Sequence, residues 1–284
     1  MTLGSRSGRV TRLDGAMGTA LLARGLPTGH VPETWVLARP WEVAAVHAAH
    51  VAAGAEVVLT CTFNLARLDL AGPGLDVTEV ARRAVALARS ARPLAVAGCA
   101  GATGLARPGA RGPSPAEFRE RYEVAIRALA TAGVDLICIE TQLDLDEARA
   151  ALEAGRRAGL PVLVTAFLLP AAGGLAARDG SSGLDFLEAL WRDGAAAVGV
   201  NCVAPDTRLS RFVAGLASRV PIPLVVKPNA GLPGQPVGPA AFAAGVAAAV
   251  RAGATLVGGC CGAGPEHLRA IGAAIGARPA QARG

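Results

Sequence analysis

The stretch Ser114-Pro115-Ala116-Glu117, followed after a long helical pattern by Gly133-Val134-Asp135-Leu136-Ile137-Cys138-Ile139-Glu140, holds the unit from which this chain is built. Ser114 with Pro115 and Glu117 reads as a helix start: a hydroxyl can accept from first-turn amides, and proline's fixed φ suits the first helical position. Gly133 marks the stop, since glycine tolerates the left-handed conformation that closes a helix. Leu136–Ile139 is a short apolar run that predicts a buried strand. The polar Glu140 stands at its C-terminal end, and Asp144 opens the next helix.

The same unit recurs through the 284 residues. Strands are expected at Val10–Leu13, Val57–Thr60, Leu94–Ala97, Leu136–Ile139, Val162–Thr165, Ala197–Val200, Leu224–Val226 and Thr255–Val257. Helices are expected near 41–53, 77–91, 115–131, 145–158, 184–193, 207–218, 239–251 and 265–276, most of them ending near glycine, as at Gly159, Gly194 and Gly253. Strand–helix alternation implies parallel strands. About eight such units predict an α/β fold, a single (β/α)8 TIM barrel over residues 1–284, with an open doubly wound sheet as the alternative. The longest non-periodic stretches, Ala100–Pro113 and Pro170–Gly183, read as loops over the barrel mouth, and both chain ends read as frayed.

Composition narrows the function classes. The chain carries 28 Lys+Arg against 22 Asp+Glu. The arginines are scattered among alanines and acids, so no basic patch forms and no nucleic-acid partner is expected. Lys227 is the only lysine, which fits a general preference for Arg, Ala, Gly and Pro. No apolar leader follows Met1, and the most apolar later stretch, 240–259, is cut by Arg251 and several glycines. Neither a secretory signal nor a membrane span is therefore expected. Six cysteines in such a chain suggest a reducing, cytoplasmic setting, where a cysteine cluster more often means metal or catalysis.

Three of those cysteines stand out. Cys202 ends Gly-Val-Asn-Cys (199–202), and Cys260 and Cys261 lie in Gly-Gly-Cys-Cys-Gly (258–262). Adjacent cysteines cannot easily form a disulfide with each other without distorting the peptide between them. Two neighbouring thiolates plus a third from another strand end can instead hold Zn2+ and leave its fourth position open. Asp14, Thr60, Asn64, Glu140, Asn201, Lys227 and Asn229 also follow strand candidates, at the end of a barrel where sites assemble. Plainer readings stand beside these. Cys61, Cys99 and Cys138 read as small buried hydrophobes, Asp14 could merely cap a helix, and Lys227 reads as a rim or packing lysine rather than a Schiff-base one. His30, His47, His50 and His267 read as surface or capping residues.

Taken together, Asp-Gly-Ala-Met-Gly-Thr (14–19), Thr-Cys-Thr-Phe-Asn (60–64), Glu-Thr (140–141), Gly-Val-Asn-Cys (199–202), Pro-Asn-Ala-Gly (228–231) and Gly-Gly-Cys-Cys-Gly-Ala-Gly-Pro-Glu-His (258–267) resemble the homocysteine S-methyltransferase family. The segments Pro32–Trp35 and Phe63–Leu68 look closest to the homocysteine module of cobalamin-dependent methionine synthase. The resemblance implies a zinc-bearing barrel that methylates homocysteine to methionine. It implies Cys202, Cys260 and Cys261 as zinc ligands, Asp14 and Glu140 as holders of the substrate ammonium, and Thr60 and Asn201 as further substrate-binding residues. No catalytic residue is implied beyond the metal-activated substrate thiolate. The family's usual Thr-Asn-Thr is Thr-Cys-Thr here, and Ala263 replaces a usual threonine, so the pocket's shape is expected to differ.

With nothing after residue 284 in this sequence, the donor is expected to be a small sulfonium or ammonium compound or a separate methyl-corrinoid protein. Betaine is disfavoured, because Thr141 after Glu140 offers no aromatic face for a quaternary ammonium. A homo-oligomer is expected on family grounds alone. The competing readings are methylation of another small thiol or a selenol, a homocysteine-binding subunit of a corrinoid system, and a non-catalytic zinc barrel. A Cys260–Cys261 redox pair is disfavoured by their adjacency.

Overall fold

A computed structural model describes residues 9–67, 74–105, 113–232 and 235–276. The unit around Ser114 and Glu140 takes its expected form. The Ser114 hydroxyl accepts from the Glu117 amide, the Glu117 carboxylate accepts from the Ser114 amide, and Gly133 turns the chain at φ +86. This reciprocal cap satisfies donors that a helix start otherwise leaves open.

The first five strands are β1 (Thr11–Arg12), β2 (Val57–Leu59), β3 (Ala95–Ala100), β4 (Leu136–Gln142) and β5 (Val162–Ala166). A hairpin, β6 (Leu169–Ala171) and β7 (Gly174–Ala176), rises from the end of β5. Then come β8 (Ala197–Asn201), β9 (Leu224–Lys227), a second hairpin of β10 (Gly231–Leu232) and β11 (Gln235–Pro236), and β12 (Leu256–Val257). The eight non-hairpin strands pair in the order β1-β12-β9-β8-β5-β4-β3-β2, all parallel, and a parallel bridge between Leu13 and Val57 joins the two ends. The sheet is thus closed as a (β/α)8 barrel.

Three helices, α1 (Met17–Ala23), α2 (Glu33–Ala38) and α3 (Pro40–Ala52), lie between β1 and β2. The later strands are followed in turn by α4 (Val77–Ser90), α5 (Pro115–Thr131), α6 (Leu145–Arg157), α7 (Gly183–Arg192), α8 (Thr207–Ala217), α9 (Pro239–Arg251) and α10 (Pro265–Gly276). No helix among the described residues is long and apolar enough to cross a membrane.

Two apolar shells follow from the two-residue period of a strand. Leu13, Leu59, Ala97, Cys99, Leu136, Cys138, Leu163 and Val225 belong to the interior cluster. Val58, Val96, Ile137, Ile139, Val164, Val198 and Val226 pack outward beneath the helices. Cys61, Cys99 and Cys138 are buried, as read from the sequence. The inward period then continues past the apolar layers: two residues beyond Cys138 is Glu140, and two beyond Val225 is Lys227. The barrel's top layer is polar for that reason.

The structure departs from the sequence reading in places. Helix α2 was not expected, and α1 entered only as the helix that Asp14 would cap; their N-cap residues, Ala16 and Pro32, provide no side-chain cap. The stretch from Pro170 to Gly183 contains the β6–β7 hairpin rather than only loop. Ala100 still belongs to β3, while residues 106–112 of the other expected loop, and most of both termini, lie outside the described residues.

Candidate metal centre

Each cysteine of the cluster is held by backbone around it. Cys202 follows β8 at φ +57, its amide donating to the Lys227 carbonyl and its own carbonyl accepting from the Asn229 side chain. The double cysteine follows β12. There the Gly259 amide donates to the Asp14 carbonyl, Cys260 to Pro228, and Ala230 to the Cys261 carbonyl. A side chain on Gly258 would place its Cβ 2.6 Å from the Asp14 carbonyl oxygen, so glycine is required for this approach. The Cys202, Cys260 and Cys261 sulfurs consequently lie within 4.8 Å of one another. Cys202 and Cys260 are half-buried and Cys261 is exposed.

The three thiols act as one unit. Hydrogen bonds from Cys202 and Cys260 pull the Cys261 pKa down to about 3, while sharing those hydrogens and being buried push Cys202 up. Asn201, fully buried beside them, directs its Nδ2 at the Cys202 sulfur (3.4 Å) and the Cys260 sulfur (3.7 Å). The cluster therefore holds one negative charge, on Cys261, while Cys202 and Cys260 keep their protons, and the donor set fits a thiophilic metal with three protein ligands.

The cysteines open onto a cavity of about 460 Å3 whose wall includes Asp14, Thr60, Glu140, Thr141 and Lys227. Lys227 is not on the rim. It is 3% exposed, with Nζ 2.6 Å from Glu140 Oε1 and 3.6 Å from Asp14 Oδ1. Burial works against its charge, yet Glu140 and Asp14 raise its pKa well above the ordinary lysine value. Asp14 does not cap a helix; its Oδ2 accepts from the Leu59 amide at 2.7 Å. Burial raises the Asp14 pKa to about 6 against the pull of Lys227. Glu140 Oε2 accepts from the Cys99 thiol at 3.6 Å.

The structure brings six of the seven expected site residues to this cavity, and the seventh stands behind it. Asn201 Oδ1 accepts from the Thr141 amide (3.0 Å) and the Thr165 hydroxyl (2.9 Å), and its Nδ2 also reaches the Thr141 hydroxyl (2.7 Å). Thr141 has φ +61, a conformation a β-branched residue adopts only under constraint, and Asn201 supplies that constraint. Thr60 lines the cavity, but its hydroxyl contacts that of Thr62 and accepts from the Cys99 amide, tying β2 to β3.

Other residues were missed or misread. Glu33 is fully buried in the cavity wall, and its carboxylate accepts from both the amide and the side chain of Asn64. The sequence reading gave Glu33 no role of its own. His47, His50 and His267 are buried rather than on the surface. His267 does cap: its Nδ1 accepts from the Gly264 amide. Burial lowers His47 to about 3 and His50 to about 4, so both are neutral. Of the two unusual positions, Cys61 lines the cavity, and the Ala263 amide donates to the Cys260 carbonyl.

Comparison with known proteins agrees with this geometry. The family model described as homocysteine S-methyltransferase matches residues 12–275. Methionine synthase of Mycobacterium tuberculosis is 32% identical over 301 residues, covering 95% of this chain and 25% of that protein. The Mycobacterium leprae methionine synthase is 30% identical, covering 94% and 24%. The chain thus spans about a quarter of the length of these curated relatives. Among solved structures, the metallated form of the Escherichia coli homocysteine methyltransferase MmuM superposes with a TM-score of 0.79 at 27% identity, covering 94% of this chain and 96% of that one. The carboxyl transferase domain of Rhizobium etli pyruvate carboxylase, at TM-score 0.54 and 18% identity, shares the fold alone.

Proposed function

The chain belongs to the homocysteine S-methyltransferase family, and from that premise we propose that it transfers a methyl group to the sulfur of homocysteine, forming methionine. The observation that carries this reading is the meeting of three cysteine sulfurs within 4.8 Å at a cavity whose wall also holds Asp14, Glu140 and Lys227. Cys202, Cys260 and Cys261 would hold Zn2+. A free thiol is mostly protonated at neutral pH, and zinc bound here would keep the substrate sulfur as a nucleophilic thiolate.

The chain's own residues do the rest. Asn201 orients the Cys202 and Cys260 sulfurs and draws charge from them through its amide. Asp14 and Glu140, offset only in part by the one positive charge of Lys227, leave the cavity the negative charge that receives the substrate ammonium. Fixing that end of the amino acid aims its sulfur at the donor, which matters in a displacement between two reactants. The outer wall, with Met17, Leu22 and Phe63, is apolar and suits a methyl-bearing donor. In the displacement the bond from methyl carbon to donor breaks as the carbon–sulfur bond forms, and the donor leaves with the electron pair.

The proposed donor is a small sulfonium compound; the match to nearly the full length of MmuM, a homocysteine methyltransferase, supports transfer by this barrel without a further domain. A second reading, delivery from a separate methyl-corrinoid protein, is favoured by the identity with methionine synthases. Methionine formation by the zinc-loaded protein, assayed with homocysteine and either S-methylmethionine or methylcobalamin, tests both. Turnover with S-methylmethionine establishes the first, and turnover with methylcobalamin alone the second. Failure with both donors while zinc and homocysteine are bound contradicts methyl transfer by this chain.

A further inference from the structure

Of the 28 lysines and arginines in this sequence all but one are arginine, and the one lysine is buried at the barrel mouth. A guanidinium is broad and planar, whereas an ammonium is a compact point charge. The arginine preference that governs the rest of the chain therefore stops where a compact cation stands between two carboxylates. The two carboxylates are not equivalent. Lys227 Nζ is in close contact with Glu140 Oε1 at 2.6 Å, and the other Glu140 oxygen accepts from Cys99. Asp14 Oδ2 is taken by the Leu59 amide, but Asp14 Oδ1 is buried with no hydrogen bond, 3.6 Å from the lysine. A buried carboxylate oxygen without a donor is costly, and a ligand that supplies one is favoured.

We propose that Lys227 is a specificity-determining residue: by serving as the resident counter-ion of Glu140, it leaves Asp14 Oδ1 as the single anchor for the ammonium of an amino-thiol. With two carboxylates and one lysine, the group carries one uncompensated negative charge, and one substrate ammonium neutralises it. This division of roles rests on the proposed homocysteine reading and refines it.

The test is calorimetric binding to the zinc-loaded protein, with no methyl donor, of homocysteine and of 4-mercaptobutanoate, the same thiol without its amino group. The wild-type protein is expected to prefer homocysteine by roughly 10- to 100-fold, the worth of one charge-assisted hydrogen bond. The isosteric Asp14→Asn change should shrink that preference to within about threefold, whereas Lys227→Gln, which frees Glu140 as a second anchor, should keep it at about tenfold or more. In the double variant Asp14→Asn with Lys227→Gln, the freed Glu140 should restore the preference. A loss of preference in Lys227→Gln equal to that in Asp14→Asn would overturn the proposal, as would a double variant unchanged from Asp14→Asn. Should the double variant fail to fold, the two single variants still decide. Binding of neither thiol to the wild-type protein would overturn the homocysteine reading itself, and this inference with it.

Discussion

The amide of Asn201 uses its oxygen and nitrogen entirely on protein partners: Thr141 and Thr165 on one side, the Cys202 and Cys260 sulfurs on the other. One side chain thus fixes both the strained turn after Glu140 and the charge on two sulfurs. Replacing Asn201 with Ala would leave the buried Thr141 amide and Thr165 hydroxyl without an acceptor, at a cost of about 2 kcal/mol. Groups that orient metal ligands commonly influence affinity by about 10- to 100-fold, and zinc affinity is expected to fall within that range. Urea unfolding and competition with a chromophoric chelator would measure the two effects separately. Lys227 teaches a related lesson. Its position at a strand end was readable, but its pairing with Asp14 and Glu140 was not, because those residues lie far apart in sequence and meet only on closure of the barrel. The signal that could have found it was its solitude among arginines.

At the scale of elements, the eight strands were legible because most contain a short apolar run, and several run into a polar residue, as Leu136–Ile139 before Glu140. Helices with side-chain caps, such as those begun by Ser114, Asp144 and Asp206, were legible for the same kind of local reason. Helices α1 and α2 lack such caps and run only 7 and 6 residues, so their conformation is set by packing between β1 and β2.

Helix α3 hid its buried face. Alanine occurs on several sides of Pro-Trp-Glu-Val-Ala-Ala-Val-His-Ala-Ala-His-Val-Ala, and the pattern did not reveal that His47 and His50 point inward. Their titration has a definite sign. Both native pKa values lie below the ordinary value of 6.5, so between pH 6.5 and about 4 the unfolded chain binds more protons than the native one. Their share of stability is complete above pH 6.5 and is lost as pH falls. For His47 the loss reaches on the order of 3 kcal/mol by pH 4. A His47→Leu variant, compared with wild type by urea unfolding across this range, should show a shallower acid decline by about that amount. Parallel declines in the two proteins would show that His47 is not carried neutral in the native state.

At the scale of the whole molecule, closure of the sheet brings the ends of β8 and β12 close enough to gather one sulfur from the first and two from the second. The same closure sets Asp14, Glu140 and Lys227 around the cavity beside them. On the proposed reading this cluster is a zinc centre with a position open to the substrate sulfur. Zinc-edge X-ray absorption of the purified protein, recorded without and then with homocysteine, tests it most directly. The expected result is one zinc per chain with three sulfur neighbours at about 2.3 Å, rising to four when homocysteine is added, and loss of the metal in Cys260→Ala. A sulfur count unchanged by homocysteine, or zinc retained in Cys260→Ala, would contradict it.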